Sequence, residues 1–138
     1  VSKFEYSLKK QLRNPKKIYT IDPGFSRANS LSFSEDKGRV LENVIYLHLR
    51  RRYKEIYYFK EERAECDFLI KDRGKVIRAI QVCYSLNEEN KDRELQGLQQ
   101  AMKECKLKQG TIITLDQEET IENIKILPAW KWLLQEER

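Results

Sequence analysis

The apolar positions of this chain change period several times, and each change marks an element. From Gly38 to Arg52 the residues Val40, Leu41, Val44, Ile45, Leu47 and Leu49 recur at spacings of three and four, which predicts a helix with one broad buried face. Ser34, Asp36 and Gly38 give that helix a polar start. After Tyr53 the pattern becomes extended. Ile56-Tyr-Tyr-Phe59, Cys66-Asp-Phe-Leu-Ile70 and Val76 to Tyr84 read as three strands, with a tight turn at Asp72-Arg-Gly74, so they form an antiparallel meander. Helical spacing returns after Asn87 or Asn90, either of which can cap. Leu95, Leu98, Ala101, Met102 and Cys105 share one face there, and Glu88, Glu89, Lys91, Arg93 and Lys103 cover the other. Lys108-Gln109-Gly110 ends this helix. The apolar run Thr111-Ile-Ile-Thr-Leu115 then reads as an interior strand, reached by a crossover and therefore parallel to a neighbour. Asp116 to Glu122 is an acidic connection, Ile124-Lys-Ile-Leu127 a further strand, and Pro128 opens a closing turn from Ala129 to Leu134.

The first 34 residues are less regular. Val1 to Arg13 fits a helix or a strand, Asn14-Pro15 breaks the pattern, and Lys17 to Ile21 reads as a short strand. Asp22-Pro23-Gly24 is a turn, and Phe25 to Phe33 a loop laying its two phenylalanines on the core. The expected whole is one α/β domain over residues 1–138, with 1–34 as an extension packed on the core. That core runs helix, three-stranded antiparallel meander, helix, strand, in a mixed central sheet flanked by helices.

Composition narrows the function classes. The 138 residues suffice for a core without staples. The formal charge of +5 and pI near 9.1 suit a polyanionic partner, although charges of both signs are interleaved as on any solvated surface. Cys66, Cys83 and Cys105 are widely spaced with no Cys-x-x-Cys pair, which argues against a disulfide framework or zinc knuckle and for a reducing cytoplasm. His48, the single histidine, lies inside the helical pattern, which leaves little for a His-based metal centre or a Ser-His-Asp triad. No apolar run approaches the roughly 20 residues of a bilayer span, and no signal pattern opens the chain. No Gly-x-x-x-x-Gly-Lys-(Ser/Thr) occurs, so no nucleotide is expected on this segment through a P-loop. The start at Val1 points to a piece of something longer.

Three features fall on successive elements. Glu42 borders the buried stripe of the first helix; Glu65 and Asp67 share one face of the second strand; Gln81 and Cys83 share one face of the third. If those faces meet, the acids converge with an amide oxygen into a hard site suited to Mg²⁺ or Mn²⁺, which polarises a phosphodiester and activates water. The competing reading is that Glu42 is solvated, Asp67 pairs or caps locally and Gln81 satisfies a backbone group. Arg50, Arg51, Arg52 and Lys54 either touch phosphates or complement the helix C-terminus. Trp130 and Trp132 either pack in the core or mediate self-association.

In this order the motifs resemble the PD-(D/E)XK restriction-endonuclease-like superfamily, especially the nuclease-like domain at the C-terminus of archaeal AAA-type ATPases. That family's Gly-Arg-x-Leu-Glu-Asn, aromatic strand, Glu-x-Asp-Phe and (Glu/Gln)-x-Lys-x-Ser are matched by Gly38-Arg-Val-Leu-Glu-Asn43, Ile56-Tyr-Tyr-Phe59, Glu65-Cys-Asp-Phe68 and Gln81-Val-Cys-Tyr-Ser85. The closing Ile126-Leu-Pro-Ala-Trp-Lys-Trp132 is similar too, so the resemblance runs from about Lys17 to the end. It implies metal-dependent hydrolysis of nucleic-acid phosphodiester bonds with Mg²⁺ or Mn²⁺, and an upstream ATPase domain in a longer chain. Glu42, Asp67 and Gln81 take the metal positions, with Glu65 as a further acid. Cys83 stands where the family has a lysine, and a thiol offers neither a cation nor a strong donor there. Lys71, in the alternation of Asp67 and Leu69, is a candidate substitute. The departure at Cys83 also keeps open a catalytically silent module that binds nucleic acid or protein.

Overall fold

The computed structural model describes residues 1–5, 11, 13–21 and 33–136, with side chains in the last stretch from Asp36 onward. Its elements in chain order are β1 (Ser2–Lys3), α1 (Phe33–Arg52), β2 (Glu55–Glu61), β3 (Ala64–Asp72), β4 (Lys75–Val82), α2 (Lys91–Glu104), β5 (Gly110–Thr114), β6 (Glu119–Ile121), β7 (Ile124–Pro128) and α3 (Ala129–Glu136). The strands form one seven-stranded mixed sheet in the order β1-β2-β3-β4-β5-β7-β6. The expected meander is there: β2, β3 and β4 pair antiparallel, and Arg73 and Gly74, both at positive φ, make the two-residue turn between the last two. The crossover through α2 delivers β5 parallel to β4, and β7 continues the parallel run.

Strand alternation divides the core into two layers. Leu69, Ala79, Ile112 and Ile126 pack with Leu98, Ala101 and Met102 of α2, while Phe68, Ile70, Ile80 and Ile113 pack with Leu41, Ile45 and Leu49 of α1 and Trp132 of α3. The buried stripe of α1 is narrower than its apolar spacing predicts, since Val44 stays 36% exposed. Helix α2 sits unusually close to β3. A Cβ at Gly97 would lie 2.2 Å from the backbone oxygen of Glu65, a contact no side-chain rearrangement relieves. Gly97→Ala is therefore expected to destabilise the fold by roughly 3 kcal/mol despite alanine's better helix propensity, read as a lower urea midpoint. An unchanged midpoint would contradict this packing.

Several expectations are corrected. Lys17 to Ile21 joins no ladder; its polar groups go instead to Asn43 and to the first residue. The α1 helix starts at Phe33, so Ser34, Asp36 and Gly38 lie inside it. Within Asp116 to Glu122 lies a strand, β6, antiparallel to β7 at the sheet edge. An edge strand exposed to water needs charge rather than alternation, so its Glu-Thr-Ile carries little strand signal. Asn90 is the N-cap residue of α2 but makes no side-chain cap bond, and Pro128 closes β7 rather than entering the helix. The turn at Asp22-Pro23-Gly24 and the loop after it, to residue 32, lie outside the described residues, as do residues 6–10 and 12.

Candidate functional site

The site begins with an irregularity in β3. Tyr57 pairs with Leu69 and Phe59 with Cys66, so Asp67 and Phe68 together face the single residue Tyr58. This is a β-bulge, and it turns Asp67 toward the α1 layer alongside Phe68. Beyond the bulge the parity is reversed, and Leu69 packs in the α2 layer. Lys71 follows Leu69 and lines a different groove with Phe4, Val76 and Cys105, so its expected kinship with Asp67 does not hold.

Opposite the bulge, α1 presents Glu42 and Asn43. The amide of Asn43 accepts from the Thr20 backbone N–H at 2.9 Å and donates to the Thr20 oxygen at 2.7 Å, pairing with the extended segment as a second peptide would. The Val1 amino group donates to the Lys17 oxygen at 2.7 Å and the Lys17 N–H to the Val1 oxygen at 2.8 Å. Tyr19 is stacked on Tyr46 with ring centres 4.4 Å apart. Fixed in this way, the segment carries two side chains onto the acids. Tyr19 Oη donates to Glu42 Oε2 at 2.6 Å, and Lys17 Nζ lies 3.0 Å from Asp67 Oδ1 and 3.8 Å from Glu42 Oε2. The other oxygen of Asp67 accepts the backbone N–H of Val82 at 2.8 Å.

The electrostatics follow from this crowding. Burial lowers the Lys17 pKa, but Asp67 and then Glu42 outweigh it and hold the ammonium above its ordinary value. Burial first and the Glu42 charge second push the Tyr19 hydroxyl well up, so it stays a donor. Glu42 is pushed up to about 7, by burial and next by the charge of Asp67, with Lys17 and the Tyr19 hydroxyl pulling the other way. An acid whose folded pKa is raised adds stability that is complete below its unfolded value and is lost as pH rises through the folded value. Glu42→Gln should therefore match the wild type near pH 5, where Glu42 is already neutral, and exceed it at pH 8 by about 2 kcal/mol. Thermal melts at the two pH values check this; equal loss at both would contradict it.

Gln81 is not where a metal ligand would stand. Ala79 and Cys83 pack in the α2 layer and Ile80 and Val82 in the α1 layer, which puts Gln81 on the α2 side of the sheet, away from Glu42. The register of β3 with β4 runs only as far as Phe68 opposite Ile80, and the side chain of Gln81 fills the gap beyond. Its Oε1 accepts from the Asp67 N–H at 2.8 Å, and its Nε2 donates to the Glu65 oxygen at 3.2 Å and to Glu94 Oε2 at 2.5 Å. Those neighbours fix the orientation, since a flipped amide would set donor against donor. Gln81 thus satisfies backbone groups and braces the bulge.

Cys83 faces the same way. Its thiol donates to the Ser85 oxygen at 3.4 Å, Asn90 Nδ2 lies 3.8 Å from the sulfur, and its pKa is pushed up to about 11 by burial and then by Glu94. Burial first also raises Glu94, with the Gln81 bond opposing. Glu65 is half-exposed and pairs with Lys60 at 3.2 Å at the rim.

Two of the four basic residues at the end of α1 have partners within the chain. Arg50 donates to the backbone oxygens of Tyr53 and Lys54, closing the helix C-terminus, and Arg52 reaches Glu136 at 3.6 Å. Arg51 and Lys54 are exposed, and Arg52 lies ten residues after Glu42, about 15 Å along the helix. Trp132 is 1% exposed and belongs to the core, and the half-buried His48 packs edge-on to it at 5.3 Å. Trp130 is 60% exposed.

The structure brings together Glu42 and Asp67 of the expected set, and adds Lys17, Tyr19 and Asn43. Among the described residues no three His, Cys, Asp or Glu side chains gather as a metal cage. Two carboxylates still fit the chemistry of Mg²⁺ or Mn²⁺, which is commonly held by one or two carboxylates together with water and substrate phosphates. Lys17 must then share or yield Asp67 Oδ1. Glu42 and Asp67 would hold the cation; Gln81 and Cys83 would not.

A family model described as a domain of unknown function, DUF4143, matches residues 37–132, well over half of the chain. The chain belongs to this family. The DUF4143 match starts after the segment carrying Lys17 and Tyr19. A relative from Methanocaldococcus jannaschii, the uncharacterised protein MJ1544, is 39% identical over 145 aligned positions, covering 94% of this chain. The chain spans about a third of that relative's length, 32%. No solved structure matches. Among the described residues no helix is long and apolar enough to cross a membrane.

Proposed function

We propose that this DUF4143 domain is a nuclease-like module of restriction-endonuclease type that hydrolyses nucleic-acid phosphodiester bonds with Mg²⁺ or Mn²⁺, as an accessory to an AAA-type ATPase. The observation that carries the reading is the convergence of Glu42 and Asp67 at the bulge, one carboxylate from α1 and one from β3, on an ammonium. Paired, partly buried carboxylates, with one pKa raised by burial and then by the charge of its neighbour, are a costly arrangement that packing alone does not require. The order of motifs along the chain and the greater length of the archaeal relative support it as well.

When bound, the cation supplies Lewis-acid polarisation of a phosphodiester oxygen and lowers the pKa of its water. The chain's own residues do the rest. The Val82 N–H and Gln81 fix the rotamer and backbone of Asp67, and Tyr19 orients Glu42. Lys17 provides the cationic group that Cys83 cannot, poised to neutralise charge on the phosphate. The test is cleavage of single-stranded, duplex and branched DNA and of RNA with Mg²⁺ or Mn²⁺. Wild type is expected to cut at least one of them and Asp67→Asn none.

A second reading is a silent module that binds nucleic acid or a protein partner, and the turning of Gln81 and Cys83 into the α2 layer favours it. Wild type and Asp67→Asn would then be equally inert and bind equally well.

A further inference from the structure

Two grooves flank the bulge, and their charges differ. The larger, about 1350 Å³ between the β2–β3 turn and α2, is lined by Glu61, Glu62, Glu65, Glu89, Asp92 and Glu94 against three cationic side chains, and repels a polyanion. The smaller, about 390 Å³, opens beside Lys17 and is lined by Lys3, Lys16, Lys17 and Lys60, with Glu65 its one acid among the described residues.

Lys17 is held at the inner end of the groove by Asp67 and Glu42, and Lys16 and Lys60 are the lysines open to a ligand. Lys16 is exposed with no ion-pair partner among the described residues. Lys60 and Glu65 pair at 3.2 Å with side chains 56% and 58% exposed, a surface pair worth at most about 1 kcal/mol that yields readily to a phosphate. Lys3 meets Glu5 at 3.5 Å in a less exposed pair and adds its charge to the rim. The aromatic residues of the groove, Tyr58 and Phe59, are buried, so it offers charge without a surface for base stacking.

We propose that this lysine groove is the track along which a nucleic-acid strand reaches Glu42 and Asp67, holding the phosphates that flank the one presented to the carboxylates. The inference takes the chemical class of the polyanion from the phosphodiesterase reading. Recognition here is of the backbone and independent of sequence.

The test is binding of a fluorescent single-stranded oligonucleotide in EDTA, where nothing is cleaved, across a salt series. Lys16→Glu and Lys60→Glu should each weaken binding several-fold and lower the slope of log K against log salt by about 0.7 for each phosphate no longer neutralised. Lys125→Glu, on the exposed face of β7 three strands from β3, should leave both unchanged. The two lysines are exposed, and matching melting curves would show that the variants fold. Unchanged slopes in the groove variants, or an equally lowered slope in Lys125→Glu, would overturn the proposal. So would poly-glutamate binding as tightly as the oligonucleotide, which would point to an acidic protein partner. Binding that maps to the groove without metal-dependent cleavage would sink the catalytic reading and leave the groove standing. Cleavage with a different binding map would do the reverse.

Discussion

Replacing Asp67 with asparagine is expected to cut metal-dependent cleavage by roughly a thousand-fold while leaving the fold standing. Asparagine keeps the shape and an oxygen for the Val82 N–H, so the bulge stays closed. What goes is the charge. The ammonium of Lys17 loses its 3.0 Å partner and keeps only Glu42 at 3.8 Å, and a cation loses one of its two carboxylates. Glu42 should titrate lower in this variant, because the charge of Asp67 is the second cause of its elevation. That shift, followed by NMR, separates loss of charge from collapse of the site. Cleavage by Asp67→Asn within tenfold of wild type would show that Asp67 is not part of the chemistry.

Lys17→Met should divide cation binding from turnover. The ammonium lies against both carboxylates and competes for the oxygens a divalent ion would take. Its removal leaves two acids facing one another, so the pKa of Glu42 rises further and a divalent ion becomes the remaining source of compensation. At pH 8 the variant should bind Mn²⁺ about tenfold more tightly, yet cleave about a hundred-fold more slowly for want of the cationic group beside the phosphate. Lys17→Arg should recover part of the rate, since it restores the charge but not the compact ammonium. If Lys17 only ties the extended segment down, Mn²⁺ affinity and rate should fall together, and arginine should not rescue the rate selectively.

The layers of this fold are legible in the sequence because apolar period maps directly onto which face is buried, and α1, the meander, α2 and β5 all follow it. What escaped were places where polar groups are satisfied by something other than a ladder. Lys17 to Ile21 has strand composition, but its partners are the side chain of Asn43 and the residue at the start of the chain, pairings no local spacing encodes. The bulge at Asp67 is invisible for the same reason, and it decides the site. It aims Asp67 at α1 and sends Lys71 to the other layer. Convergence of Glu42 and Asp67 was foreseeable, as was Gln81 serving a backbone group. One hint of Lys17 was present all the same. A lysine among β-branched residues and a tyrosine, in a segment ending at Asp22-Pro23-Gly24, is the kind of extended strip that lays one side chain onto a neighbouring acid.

The most direct measurement is a Mn²⁺ titration followed by electron paramagnetic resonance, comparing wild type with Asp67→Asn at pH 8. The wild type is expected to bind one Mn²⁺ per chain, and the variant to bind it at least tenfold more weakly. Equal affinity in the two proteins, or no binding to either, would contradict a divalent-cation site at Glu42 and Asp67.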